Sequence, residues 1–242
     1  MTHFSILHSP FSIQLPLGNV IDATFVERPN RFVVLAHLGD GEIVAAHCAD
    51  RGRLLWLRPG MPMLLLTRNG AGRKTRFQAV AVRTGGAWAS LDTQLPNRLM
   101  ALALQRRALP QFAAYNVIKR EAAHGASRFD FRLDAGEQRC WLEIKSVGVA
   151  HDGIASFPDA PTERGARHLL ELASLARSGT RAALVFVAQH AAARLVRPDD
   201  TIDPHFAAAL RSALADGVEV YAYRCPIERD GIRLGEELRI EN

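Results

Sequence analysis

Asp130, Glu143 and Lys145 lie in two short segments, Arg-Phe-Asp-Phe-Arg-Leu at 128–133 and Cys-Trp-Leu-Glu-Ile-Lys-Ser-Val at 140–147. Both alternate apolar and polar residues with period 2, which predicts adjacent strands joined by a turn around 134–136. In the first strand Phe129, Phe131 and Leu133 share a face. In the second, Cys140, Leu142 and Ile144 point inward, while Trp141, Glu143 and Lys145 take the opposite side. Pairing the two as a hairpin brings Asp130 close to Glu143 and Lys145. Carboxylates that converge on one point repel unless a cation lies between them. Hard oxygen ligands that leave waters on the ion suit Mg²⁺ or Mn²⁺. A Lys two residues beyond the second carboxylate is placed to orient and polarise a water on that metal, so the set outlines a phosphodiester hydrolysis site. Glu143 and Lys145 at i, i+2 would equally form a solvated ion pair, and so short a motif is easily matched by chance. Composition favours chemistry. Of 30 basic residues only Lys74, Lys119 and Lys145 are lysines, and lysine offers a compact ammonium where arginine offers a wide fork.

The elements around this hairpin must hold it. Spacing of Leu99, Leu102 and Ala103 predicts a helix over 97–109, stopped by Pro110. Glu121, nine residues before Asp130, is either a third acidic ligand or base, or a surface residue near a Gly turn. Pro161 and Thr162 start a second helix, with Leu169, Leu172, Ala173 and Ala176 on its apolar face and Gly179 after its end. Arg164, Arg167 and His168 lie near its N-terminus or on its other side, where phosphates are favourably held; His168 alone reads as a packed or solvated helix residue. The continuous apolar run at 181–189 predicts a strand covered on both faces. A helix at 204–216 and a strand at 218–224 follow. The order strand–strand–helix–strand–helix–strand gives a mixed sheet with helices on its faces.

Residues 19–83 read differently, as five short strands (19–26, 31–38, 42–48, 61–67 and 76–83) broken by turn signals at 28–30, 39–41, 58–60 and 69–72. Such spacing predicts a small barrel of the OB type, with 85–96 as a connection and a boundary near residue 90. Charge supports a division of labour. Residues 1–84 hold 10 Lys/Arg against 5 Asp/Glu, and residues 85–242 hold 20 against 20, so the whole excess of +5 lies in the first third. A basic module beside a neutral one suits a grip on a polyanion, although scattered solvated arginines give the same count. Arg28, Arg31, Arg53, Arg73, Lys74 and Arg76 are the candidate phosphate contacts. Trp56 and Phe77 are available for stacking, or serve as barrel core. The 72–76 segment is the better phosphate candidate, since a loop presents charge without a packing role.

At 48% hydrophobic and 23% charged the composition is that of an ordinary globular protein of one large or two modest domains. Three scattered cysteines form no disulfide framework or zinc spacing, which fits a reducing cytoplasm. Pro10 and Pro16 interrupt the N-terminal apolar residues, so neither a signal peptide nor a membrane span is expected. Walker, Rossmann and Gly-x-Ser-x-Gly patterns are missing.

Several strings together resemble the sugar fermentation stimulation protein A (SfsA) family of bacteria and archaea. They include Asn30-Arg31-Phe32, Ala46-His47-Cys48, Pro96-Asn97-Arg98-Leu99, Ser127-Arg128-Phe129-Asp130-Phe131, Glu143-Ile144-Lys145-Ser146-Val147, and Phe157-Pro158-Asp159-Ala160 with Thr162-Glu163-Arg164-Gly165. The last is the most specific. The resemblance implies an OB-like domain over 1–88 and a domain over 89–242 similar to the restriction-endonuclease-like PD-(D/E)XK nucleases. It also implies binding of DNA and/or RNA and an association with regulating sugar metabolism genes. Its nuclease pattern falls on Glu121, Asp130, Glu143 and Lys145. The family departs from this chain at Asp50-Arg51-Gly52, where it usually shows Asn-Thr-Gly, and at Pro161, where an aliphatic residue is common. The leading expectation is a metal-dependent nuclease in which Asp130, Glu143, the Ile144 carbonyl and Glu121 hold Mg²⁺ or Mn²⁺ and Lys145 positions water. A non-catalytic DNA-binding regulator on the same fold is the alternative, and a small-molecule lyase or hydrolase ranks last because it gives the basic barrel no role.

Overall fold

The computed structural model describes residues 13–68, 72, 74–125 and 127–241. After a short strand β1 (Gln14–Pro16) come β2 (Val20–Asn30), β3 (Val33–Leu38), β4 (Ile43–His47), β5 (Pro62–Thr67), β6 (Phe77–Thr84) and β7 (Ala87–Ser90). They form one antiparallel sheet ordered β4-β3-β2-β5-β6-β7, and a parallel pairing of Ala46 with Phe77 and His47 with Gln78 closes it into a barrel. Alternation decides which residues go inside. In β3 and β4 Val34, Ala36, Val44 and Ala46 are buried beside Phe25, Met63, Leu65 and Phe77, while their neighbours stay exposed or half-buried. Part of the expected connection at 85–96 is a sixth strand, because Gly85 and Gly86, both with φ in the left-handed region, reverse the chain so that β7 pairs with β6. In β5 both faces are buried. Leu64 and Leu66, with Val80 and Ala81 of β6, pack outward into the core of the following domain.

Helix α1 (Leu95–Gln105) follows, four residues shorter at its C-terminus than its spacing predicts. Arg107 adopts a left-handed φ of 52°, its N–H bonds the Leu104 carbonyl at 3.0 Å, and the Ala108 N–H bonds the Ala103 carbonyl at 2.9 Å. This Schellman closure ends the helix before Pro110 is reached and turns Leu109 and Phe112 into the core. The remaining elements are β8 (Val117–His124), β9 (Ser127–Ala135), β10 (Gln138–Val147), β11 (Ile154–Phe157), α2 (Glu163–Arg177), β12 (Arg181–Ala188), β13 (Leu195–Pro198), α3 (Pro204–Ala215) and β14 (Glu219–Arg224). Short strands β15 (Ile227–Glu228), β16 (Gly231–Arg233) and β17 (Arg239–Ile240) close the list. The main sheet is ordered β14-β12-β10-β9-β8, parallel between β10, β12 and β14 and antiparallel between β8, β9 and β10.

This mixed sheet is covered on both faces. Leu142, Ile144 and Val185 pack with Leu99, Met100 and Leu104 of α1. Trp141, Leu184 and Phe186 pack with Leu169 and Leu172 of α2 and Phe206 and Leu210 of α3. The side of β10 that carries Trp141, Glu143 and Lys145 is therefore beneath α2 rather than open to water. No helix among the described residues is long and apolar enough to cross a membrane.

Candidate active site

The β9–β10 hairpin is paired from Gln138 opposite Ala135 to Leu142 opposite Phe131, where its ladder ends. Beyond that point the Asp130 side chain takes over the role of a strand neighbour: its Oδ2 accepts the Ile144 N–H at 2.7 Å. Its Oδ1 accepts from Asn97 Nδ2 of α1 at 2.6 Å. Asp130 is thus clamped between a helix and a strand. Burial and the adjacent Glu143 push its pKa up to about 6, against the opposing pull of the Ile144 N–H, Lys145 and Asn97.

Glu143, 5% exposed, divides its two oxygens. Oε1 accepts from Lys145 Nζ at 2.8 Å and from His168 Nδ1 at 2.6 Å. Oε2 is buried with no hydrogen-bond partner among the described residues. Burial would raise this carboxyl's pKa, but the His168 hydrogen bond and the Lys145 charge outweigh it and hold the group below its usual range. His168, 2% exposed, is the sixth residue of α2, in its second turn, and the sequence alone does not single it out as a site residue. Arg164 Nε, one turn earlier, donates to its Nε2 at 3.4 Å, which leaves Nδ1 as the ring nitrogen that donates to Glu143. Phe129 packs against the ring at 5.5 Å between centroids. Only its place three residues after the Thr162-Glu163-Arg164-Gly165 string could have pointed to it.

The helix that delivers His168 is fixed at its start. Thr162 Oγ1 caps α2 by accepting the Gly165 N–H at 3.0 Å. Asp203 accepts the Thr162 N–H with Oδ2 at 2.7 Å and the Phe206 N–H with Oδ1 at 2.9 Å. One buried carboxylate thus ties the starts of α2 and α3 together.

Glu121 stands apart from this set. The β8–β9 register puts Arg120 opposite Phe131 and Ala122 opposite Phe129, so Glu121 falls across from Asp130. Its φ of 49° is in the left-handed region and its side chain is exposed. Among the described residues no three His, Cys, Asp or Glu side chains are gathered around a common metal position.

The barrel arginines are placed in two ways. Arg28 is engaged structurally: its guanidinium donates to the carbonyls of Gly52 (2.7 Å), Asp50 (2.8 Å), Arg31 (3.0 Å) and Arg53 (3.3 Å). Arg31, Arg53, Lys74 and Arg76 are exposed, as are Arg164 and Arg167 on α2, while Arg73 lies outside the described residues. Phe77 is barrel core, with the Arg76 guanidinium 5.4 Å from its ring centroid, and Trp56 is half-buried against the same core.

Two domain descriptions match in tandem: "SfsA N-terminal OB domain" over residues 26–91 and "Sugar fermentation stimulation protein RE domain" over residues 94–231. The chain belongs to the SfsA family. A sugar fermentation stimulation protein homolog of Chloroflexus aurantiacus is 52% identical over 237 residues, covering 96% of this chain and 91% of that one. The Moorella thermoacetica homolog is 46% identical over 219 residues, covering 89% and 94%. The solved structure of Pyrococcus furiosus SfsA in complex with Ca²⁺ superposes with a TM-score of 0.88 at 30% identity, covering 96% of this chain and 100% of that one. The SfsA architecture is therefore an OB barrel followed by a restriction-endonuclease-like mixed-sheet domain.

Proposed function

We propose that this SfsA-family chain is a divalent-metal-dependent nuclease that hydrolyses phosphodiester bonds in DNA and/or RNA. The observation that carries the reading is Glu143 Oε2, a carboxylate oxygen buried without a partner among the described residues, beside a second carboxylate whose pKa burial raises to about 6. An orphaned buried acceptor is costly, and a hard cation shared with Asp130 would satisfy it. The residues fit such an ion. Asp130 and Glu143 would hold Mg²⁺ or Mn²⁺ with the Ile144 carbonyl, and Glu121, which stands apart from them, would reach the ion only through water. The Ca²⁺ in the Pyrococcus furiosus structure supports a divalent ion in this family.

When bound, the metal supplies a Lewis acid that stabilises charge on the phosphate and lowers the pKa of water. The chain's own groups do the rest. His168 and Lys145 hold one oxygen of Glu143 and so fix the direction of the other. Asn97 and the Ile144 N–H hold Asp130. The Lys145 ammonium, partly buried and bonded to Glu143, is positioned to orient the attacking water and offset developing negative charge. Arg164, Arg167 and the exposed basic residues of the barrel attract the polyanion.

The test is titration of Mn²⁺ and Mg²⁺ into wild type and Glu143→Gln with labelled single- and double-stranded DNA and RNA. Cleavage by wild type alone is expected, with calorimetric Mn²⁺ binding lost in the variant. Binding of nucleic acid with no cleavage under any metal would replace the nuclease by a non-catalytic DNA-binding regulator of sugar metabolism genes.

A further inference from the structure

The barrel carries a groove of about 640 Å³ that the acidic site does not use, lined by the turn after β2 and the long connection between β4 and β5. OB barrels commonly bind oligonucleotides near their first and fourth connections; this groove instead lies between the first and the third. Its charge is one-sided. Five arginines line it (Arg28, Arg31, Arg51, Arg53 and Arg58) against a single carboxylate, Glu27.

Arg28 is the fastener rather than the contact. By bonding the Arg31 carbonyl on one wall and the Asp50 and Gly52 carbonyls on the other, it holds the walls at a fixed separation, so ordering them costs little when a ligand arrives. Arg31, Arg51 and Arg53 are exposed, and among the described residues their side chains make no hydrogen bond or ion pair. At the rim the Arg51 guanidinium lies 5.3 Å from the centroid of the Phe32 ring. Phe32 is nonetheless 44% exposed, and Leu55 on the opposite wall is 71% exposed. The Asn30 side chain accepts the Phe32 N–H at 2.9 Å and so sets the turn that presents the ring. Flat, partly open aromatic and guanidinium surfaces within a basic groove are what unstacked bases require. A duplex hides its base faces and would meet only the charges.

We propose that this groove binds a single-stranded nucleic acid, with a base stacked on the Phe32–Arg51 pair and phosphates held by Arg31 and Arg53. It rests on the nucleic-acid reading above and adds strandedness and a place. The inner end of the groove abuts the second domain. A Cβ added to Gly52 would lie 1.9 Å from Asp159 Oδ2, in the loop that leads into the helix bearing Arg164 and His168. The groove therefore borders the loop that leads into α2.

Fluorescence anisotropy tests this with labelled oligothymidylate, oligouridylate and a DNA duplex of equal length, with divalent metal removed by chelation so that cleavage plays no part. Wild type is expected to bind at least one of the single strands more tightly than the duplex, and comparison of the two strands distinguishes DNA from RNA. Phe32→Ala should weaken that binding about tenfold and leave duplex binding unchanged, Phe32→Trp should retain it, and Arg53→Gln should reduce the salt slope by about one. Equal single-strand affinity in Phe32→Ala and wild type, or wild-type preference for the duplex, would overturn the proposal. Phe32-dependent binding by a protein that cleaves nothing upholds the groove and removes the nuclease. Cleavage with Phe32→Ala binding as wild type does the reverse.

Discussion

Glu143 shows how a single carboxylate is shaped for a task. Its Oε1 accepts two hydrogen bonds, from Lys145 and His168, while Oε2 has no partner among the described residues. Removing the imidazole frees the carboxylate to rotate and leaves one hydrogen bond to fix it. His168→Ala is therefore expected to lower Mn²⁺ affinity by about 10–100-fold, the usual cost of losing a group that orients a ligand. Calorimetric titration checks this, and His168→Gln, which keeps an N–H donor, should restore part of the loss. Unchanged Mn²⁺ binding in His168→Ala would make the histidine a packing residue only. The nearness of Asp130, Glu143 and Lys145 was legible from sequence because period-2 alternation and a short turn fix a hairpin locally. His168 was not. It lies 25 residues beyond Glu143 on a helix, and nothing in helical spacing tells which strand residue a helix face will cover. Glu121 shows the opposite difficulty, since register places it across from Asp130 while a left-handed φ and an exposed side chain keep it out of the buried cluster.

At the scale of elements, the start of α2 decides whether His168 reaches the sheet. Gly165 is buried there, and an added Cβ would come within 2.7 Å of Thr162 Cγ2, 2.9 Å of Thr162 Oγ1 and 3.2 Å of the Phe206 ring. The first two contacts are with the capping side chain itself, so the methyl group must displace the N-cap. Gly165→Ala is predicted to destabilise the protein by about 1–3 kcal/mol, read as a lower urea midpoint at unchanged slope. Asp203→Ala should cost at least as much, because it unties the starts of both α2 and α3 and leaves buried N–H groups unpaired. The first was legible from its apolar spacing and from Thr162, and the second was expected at 204–216, where α3 lies. The end of α1 was not, because its closure depends on Arg107 taking a conformation that an Arg codon does not advertise, whereas Pro110 is an obvious but later stop. The burial of Trp141 and Glu143 was likewise hidden: alternation along β10 marks two faces but does not say that the polar-looking one is roofed by α2.

Across the whole molecule, barrel and sheet domain share an apolar core, in which Leu64, Leu66, Val80 and Ala81 of the barrel pack with Leu99 and Met100 of α1 and with Leu142 of the sheet. A shared core favours a single cooperative unfolding transition. At the edge of the joint the two domains also bring two carboxylates together around Gly52. Asp50 Oδ1 accepts the Gly52 N–H at 2.8 Å, and Asp159 packs against the Gly52 backbone from the other domain. Burial pushes the Asp50 pKa up to about 6, the Gly52 N–H pulls it back, and Asp159 raises it further while Arg28 opposes. Asp159 is raised too, chiefly by burial. Because the folded pKa of Asp50 lies above its ordinary value of 3.8, keeping it charged costs stability at every pH above about 6. That cost is relieved as pH falls from about 6 toward about 4, where the folded protein holds a proton that the unfolded chain has released. Asp50→Asn retains an oxygen for the Gly52 N–H without the charge. It should stabilise the protein at neutral pH by an amount on the order of 1–3 kcal/mol, and the advantage should shrink as pH falls through about 4 and vanish by about pH 3. Urea unfolding of wild type and variant across that range measures the difference directly. A variant advantage that stays constant with pH would mean that Asp50 is not held in an unfavourable charge state, and that the contact between the domains is insensitive to its proton.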